Sequence, residues 1–440
     1  MIGENIDVNV AGGLSFPLPK MSVIRQKFNT DKIENIKKRV AEEFLNPDIQ
    51  TSIKPGQVIA VGCGSRGIAN ISEIVLSVIN ELKARGARPF IFPCMGSHGS
   101  ATAEGQKNVL ESYGITQDSM GVEIRSSMDT LVIGSLDDGT PVYMDQHAAK
   151  ADGVVVVNRI KPHTSFRGEI ESGITKMLSI GIGKIVGATT YHRQGMDTFP
   201  VLLPRVRDCH LKAKNILFGV GILENAYDQT SHIEIIEASK IAIREPELQV
   251  MAKQKMPRLM FSDIDVLIID EMGKNISGAG FDPNITGRSR SVENWDAELK
   301  INKIVVLSLS KESHGNATGI GGADVTTMRL YKDLDVSATY ANCITSMSLG
   351  GAAIPVVMNN DREAIALAIK TVVRVQPENC KIVRIKNTLS LETIEVSQPL
   401  VETIRENSEK LEIISDPKSF AFSSTGDLIK DQRTNEEEQV

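Results

Sequence analysis

Residues 57–114 read QVIAVGCGSRGIANISEIVLSVINELKARGARPFIFPCMGSHGSATAEGQKNVLESYG, and the fold is decided here. QVIAVG (57–62) is a short apolar run of the kind that forms a buried strand. Behind it, Ile71, Ile74, Val75, Val78, Ile79 and Leu82 recur at spacings of three and four, which predicts an amphipathic helix. Gly86 supplies a C-cap for it. PFIFPCM (89–95) is again strand-like, and TAEGQKNVLESYG (102–114) predicts a second helix ending in glycine. A strand–helix–strand–helix rhythm means parallel strands joined by crossover helices.

Moving outward, TLVIGSL-DDGT-PVYMD (130–145) places two alternating runs around an Asp-Gly turn, the signature of a β-hairpin. GVVVVN (153–158) is a continuous β-branched run, which predicts a central strand buried on both faces. NILFGVGIL (215–223) is similar. A second series opens near residue 264, with DVLIIDE (265–271) and KIVVLSLS (303–310) as strands, REAIALAIKTVVRV (362–375) as a helix and KIVRIKN (381–387) as a further strand. REPELQVMAKQKMPRL (244–259), polar and helical, suits a hinge or connecting helix. The expected fold is α/β: two lobes with largely parallel sheets, residues 1–258 and 259–425, followed by a flexible tail over 426–440. In such sheets ligands bind beyond the carboxyl ends of the strands, so the site is expected in the cleft between the lobes.

Composition narrows the function classes. The chain has 440 residues, 41% hydrophobic and 24% charged, with aromatics at only 4%, so its core must be aliphatic. A formal net charge of -6 argues against a general affinity for nucleic acid. No apolar run reaches the roughly 18 residues of a membrane helix, and the first residues show no basic segment followed by an apolar one. Cys63, Cys94, Cys209, Cys343 and Cys380 are scattered and odd in number, against a thiolate metal site or a disulfide framework. A cytoplasmic protein is expected.

Residues that follow strands are the ones able to carry chemistry. Cys63-Gly64-Ser65-Arg66-Gly67 and Gly96-Ser97-His98-Gly99-Ser100 each lead from a strand into a helix, where free backbone N–H groups face a ligand. GVVVVN is followed by Arg159-Ile160-Lys161-Pro162-His163-Thr164. Downstream come Ser172-Gly173-Ile174-Thr175-Lys176-Met177 and, further on, Thr190-Tyr191-His192-Arg193. His98 and His163 occupy equivalent positions after core strands, and two imidazoles can share proton transfer near neutral pH. Arg159, Lys161 and Arg167 form a basic cluster suited to an anion. GIGKIVG (181–187) fits no phosphate-loop pattern and reads equally well as close helix packing. Lys274, after the first strand of the second lobe, could hold a carboxylate or phosphate.

These loops together resemble the LarA family, the nickel-pincer-nucleotide-dependent lactate racemase and its homologues. The Ser65-Arg66 turn resembles the family's Thr-Arg loop. Gly96-Ser97-His98, with Thr102 and Glu104 behind it, resembles the loop of its first catalytic histidine. His163 matches the second, and Lys176 with His192 matches the cofactor-anchoring lysine and the nickel-binding histidine. The chain departs from the family at Cys63, where an Asp is expected, at Gly99-Ser100 in place of Arg-Pro, and at Gly-Ile-Thr-Lys-Met in place of Gly-Gly-Arg-Lys-Ser. A divergent branch is implied, whose substrate need not be lactate.

The resemblance implies a racemase or epimerase of a small anionic 2-hydroxy acid. A C–H beside a carboxylate is barely acidic, so removing a hydride to leave a 2-keto acid is the accessible route. Carried over, His192 ligates nickel as neutral imidazole, Lys176 anchors the pincer nucleotide, and His98 and His163 exchange the hydroxyl proton, one for each enantiomer. Arg66 and Lys274 contact the substrate carboxylate. Cofactor-synthesis enzymes are implied partners, and a host lacking them is expected to yield apo-protein; nucleic acid and membrane are not expected, and self-assembly is open. Rival readings are a sugar-acid C2 epimerase with the same mechanism and a non-catalytic two-lobed ligand-binding protein. A nicotinamide-dependent dehydrogenase lacks its glycine fingerprint here.

Overall fold

Val58–Cys63 (β1), Arg88–Pro93 (β2), Gly153–Arg159 (β3), Ile216–Glu224 (β4) and Thr230–Glu237 (β5) form a five-stranded sheet in the order β2-β1-β3-β4-β5. They were located in a computed structural model that describes residues 6–64, 67–290, 295, 299–404, 409–429 and 433. The first four strands are parallel and β5 runs antiparallel to β4. This sheet belongs to a unit spanning Asn29–Met256; the second unit combines Met1–Phe28 with Pro257–Val440.

The β-branched run of β3 is central and buried on both faces, as its pattern predicts. Val155 and Val157 enter one core with Ile74 and Val78 of helix Ile71–Ala84 (α1). Val154 and Val156 enter the opposite core with Ile174, Leu178 and Leu248. The chain passes from β1 outward to β2, through helix Ala103–Ser112 (α2) and the antiparallel hairpin Thr130–Ser135/Pro141–Asp145, and returns on the other side of β1 as β3. That reversal opens a crevice at the carboxyl ends of β1 and β3, the usual ligand position in a sheet wound this way.

After β3 the chain forms helices Lys184–His192 (α3) and Phe199–Ala213 (α4), and after β5 helix Ile241–Lys255 (α5). The expected hinge over 244–259 is largely α5, and its role differs from expectation. Ile241, Leu248 and Ala252 are buried in the core behind β3, so α5 is a structural helix of this unit. Its polar look comes from Glu245 and Gln249, which are buried as well.

The second unit carries an eight-stranded sheet. Val356–Met358, Val325–Thr327, Lys300–Leu309, Asp263–Met272 and Ile382–Ile385 are parallel in that order, and Thr393–Ser397, Met21–Gln26 and Leu411–Ile413 complete it antiparallel. The chain's first strand therefore lies outside the unit expected over 1–258: Met21 to Arg25 pair with Thr393 to Ser397. Within the expected tail, Leu428 N–H donates to Asp361, and Arg433 pairs with Asp270. Among the described residues, no helix is long and apolar enough to cross a membrane.

Candidate functional site

Among the described residues, His98 and His163 lie beyond the carboxyl ends of strands in the first unit's sheet. His98 follows β2 in an exposed turn, and His163 follows β3. One strand, β1, lies between β2 and β3, which separates the two loops' parent strands by roughly 10 Å, twice the ordinary inter-strand spacing. At the crevice itself, the Asn158 side-chain amide at the end of β3 donates to Gly173 O at 3.2 Å, tying the strand to the segment that carries Lys176.

His98 sits in a backbone of uncommon shape. Gly96, Gly99, Ser100 and Ala101 have φ of 58°, 61°, 55° and 53°, a conformation costly for side chains with a Cβ. Helix α2 supports it from behind. Gln106 donates from its amide to Gly96 O at 2.9 Å and His98 O at 3.2 Å. Gly105 is required here, because a Cβ would overlap the Gly99 carbonyl. Gly96 N–H also donates to Gly181 O at 3.0 Å, joining the turn to the segment between Lys176 and His192.

His163 is held by its backbone and by its ring. Its N–H donates to Glu171 at 2.7 Å, and its Nδ1 accepts from Ser165 N–H at 3.0 Å, so the neutral ring carries its proton on Nε2. The ring lies 4.5 Å from that of Phe166, Phe166 lies 5.4 Å from Phe199, and Phe199 lies 5.1 Å from His192. Two buried phenylalanines thus bridge His163 and His192.

Lys176 closes the short helix Ile174–Lys176 and enters a π-helical turn over Met177–Gly181, a geometry often found at functional sites. His192 ends α3. A carbonyl can only accept, so the contact between His192 Nδ1 and Ala188 O at 2.5 Å fixes the proton on Nδ1 and leaves the Nε2 lone pair. Burial, opposed by that bond and assisted by the nearby Lys176 charge, pushes the imidazole below its ordinary pKa, toward the neutral form.

The Lys176 segment rests on α5. Glu245 accepts from Thr175 N–H at 3.0 Å and from the Thr175 hydroxyl at 2.5 Å, and Arg207 donates to that hydroxyl at 3.3 Å. Burial raises the Glu245 carboxyl to about 7 against these bonds. Gly173 must be glycine, because a Cβ would overlap the Glu245 carboxylate. One turn on, Gln249 accepts from Glu171 N–H, and Lys253 pairs with the Glu171 carboxylate at 2.6 Å. Glu245, Gln249 and Lys253 recur every fourth residue, so one face of α5 grips the segment from His163 to Lys176.

Other expectations fare differently. Arg66 lies outside the described residues. Lys274 belongs to the second unit, where its ammonium donates to Gly278 O at 2.6 Å. The basic cluster is largely neutralised internally: Arg159 pairs with Glu224, and Arg167 pairs with Glu171 at 3.6 Å. GIGK is a packing element, since Lys184 is fully buried. Sequence reading missed Gln106, Glu171, Lys184 and Glu245, each of which acts through a distant partner.

Residues 14–198 match the family of the lactate racemase N-terminal domain. That segment of the chain carries the lactate racemase N-terminal domain. The lactate racemase match includes His98, His163, Lys176 and His192 and ends before Lys274. In fold, the chain is similar to the lactate racemase apoprotein from Thermoanaerobacterium thermosaccharolyticum, with a TM-score of 0.50 at 13% identity over 82% of this chain and 93% of that one. No curated protein matches.

Proposed function

We propose that this protein racemises or epimerises a small anionic 2-hydroxy acid by reversible hydride transfer, using a nickel-pincer nucleotide. The observation that carries the reading is His192: a half-buried imidazole with Nδ1–H committed to a carbonyl, its burial favouring the neutral form, and Lys176 close enough to act on it by charge. That is the state required of a metal-binding histidine, whose second nitrogen is ordinarily fixed by such a bond.

The donor set fits the group. Among the described residues, no cluster of three or more His, Cys, Asp or Glu could hold a metal ion alone. A single imidazole with a neighbouring amine suits a metal whose remaining donors come from an organic ligand, so His192 would hold the nickel and Lys176 the nucleotide. When bound, the cofactor supplies a hydride acceptor for C2 of the substrate.

The chain's own residues do the rest. His98 and His163 each take the hydroxyl proton from one enantiomer, and each gives a proton back to that same enantiomer when it is the product. His163 Nε2, which carries the proton of the neutral ring, is the atom assigned to this exchange, because Nδ1 accepts from Ser165 N–H. Arg66 holds the substrate carboxylate. Partner enzymes that build the cofactor complete the system, and a cytoplasmic location suits the five cysteines, all of them free.

The test is metal content. Protein produced together with the cofactor-synthesis enzymes should retain nickel, and His192→Ala should lose it. Equal nickel in both proteins would remove His192 as the ligand and with it this reading.

A further inference from the structure

Lys184 combines two costly features: its side chain is completely buried, and its φ of 53° lies in the left-handed region. Both are sustained by what its ammonium reaches. Asp145 at the end of the hairpin lies at 3.2 Å, Pro93 O at the end of β2 at 2.5 Å, and Gln106 Oε1 on α2 at 3.1 Å. One amine therefore joins three separate segments from the start of α3.

The bond to Gln106 has a directional consequence. An ammonium only donates, so Gln106 must present its oxygen to Lys184. Its amide nitrogen then faces the other way, where it donates to Gly96 O and His98 O. Reversed, the amide would set NH2 against the ammonium and oxygen against two carbonyls. The His98 carbonyl also accepts from Ala101 N–H at 3.2 Å, inside the run of positive φ that local preference disfavours. Lys184 thereby orients a side chain that holds the turn from behind.

We propose that Lys184, acting through Gln106 and balanced by Asp145, is a positioning residue that fixes the His98 turn. Lys184 is sealed from solvent and does not meet the substrate. It stands midway between Lys176 and His192, so the segment carrying those two residues also sets the placement of His98. The catalytic consequence rests on the functional reading above; the positioning itself does not.

Gln106→Leu removes the orienting amide and leaves the Lys184–Asp145 pair in place. In the apo-protein, hydrogen exchange over residues 96–102 should quicken about tenfold or more while exchange in Gly153–Arg159 stays unchanged. The double variant Lys184→Met/Asp145→Asn, which avoids stranding a buried charge, should give the same pattern. In nickel-loaded protein, Gln106→Leu should lower kcat about tenfold with KM nearly unchanged. Unchanged exchange in the turn, or acceleration of turn and strand together, would overturn the proposal. Selective acceleration in a protein whose loaded wild type has no racemase activity would support the positioning device and remove the functional reading.

Discussion

At the scale of single residues, the site depends on groups whose protonation is set by burial. His192 is the clearest: burial lowers its pKa and favours the neutral imidazole that the proposed nickel ligand requires. In the proposed reading His98 and His163 are the proton-exchanging pair, so His98→Ala and His163→Ala should each lower turnover by at least about two orders of magnitude. Steady-state rates in each direction check this; near-normal rates in both variants would remove the pair. Glu245 makes a pH prediction. Burial raises its carboxyl from 4.5 to about 7, so between those values the folded protein binds a proton that the unfolded chain has released. Its contribution to stability is then fully present below about pH 4.5 and is lost as pH rises through about 7. Denaturant titrations should show wild type losing stability relative to Glu245→Gln over that range. Parallel profiles would mean that Glu245 does not titrate there.

Local patterns in the sequence carry most of the strands and helices of the first unit. The β-branched run at 153–158, the three-and-four spacing of α1 and the Asp-Gly hairpin all lie where their patterns place them. Helix α5 was legible as a helix and illegible as a core element, because Glu245 and Gln249 read as solvent-facing when their partners in 171–175 are unseen. The same limit hid Lys184: lysine ordinarily marks a surface, and its acidic partner lies 39 residues earlier in a hairpin. Leu248, fully buried on α5, distinguishes a core helix from a connecting one. Leu248→Ala should cost about 2–5 kcal/mol in urea unfolding. A loss below about 0.5 kcal/mol would fit a surface linker instead.

At the scale of the whole molecule, chain order and unit membership diverge. Met21–Gln26 pairs with Thr393–Ser397 across nearly the full sequence, a register that no local pattern can announce. Ile24 is completely buried there. Ile24→Ala should accelerate hydrogen exchange in Thr393–Ser397 and leave Gly153–Arg159 protected; the opposite pattern would contradict the assignment of that strand. Four site residues named from sequence, His98, His163, Lys176 and His192, fall in the unit Asn29–Met256. The side chains that hold them, Gln106, Glu171, Lys184 and Glu245, were not legible, since each is defined by a fold-level partner.

Hydride chemistry at C2 is tested most directly by incubating cofactor-loaded protein with a panel of 2-hydroxy acids and sugar acids in deuterated water. At least one substrate should invert at C2 while keeping its own hydrogen there. Inversion with deuterium incorporated at C2, or no inversion of any acid by nickel-loaded protein, would contradict a hydride-transferring racemase.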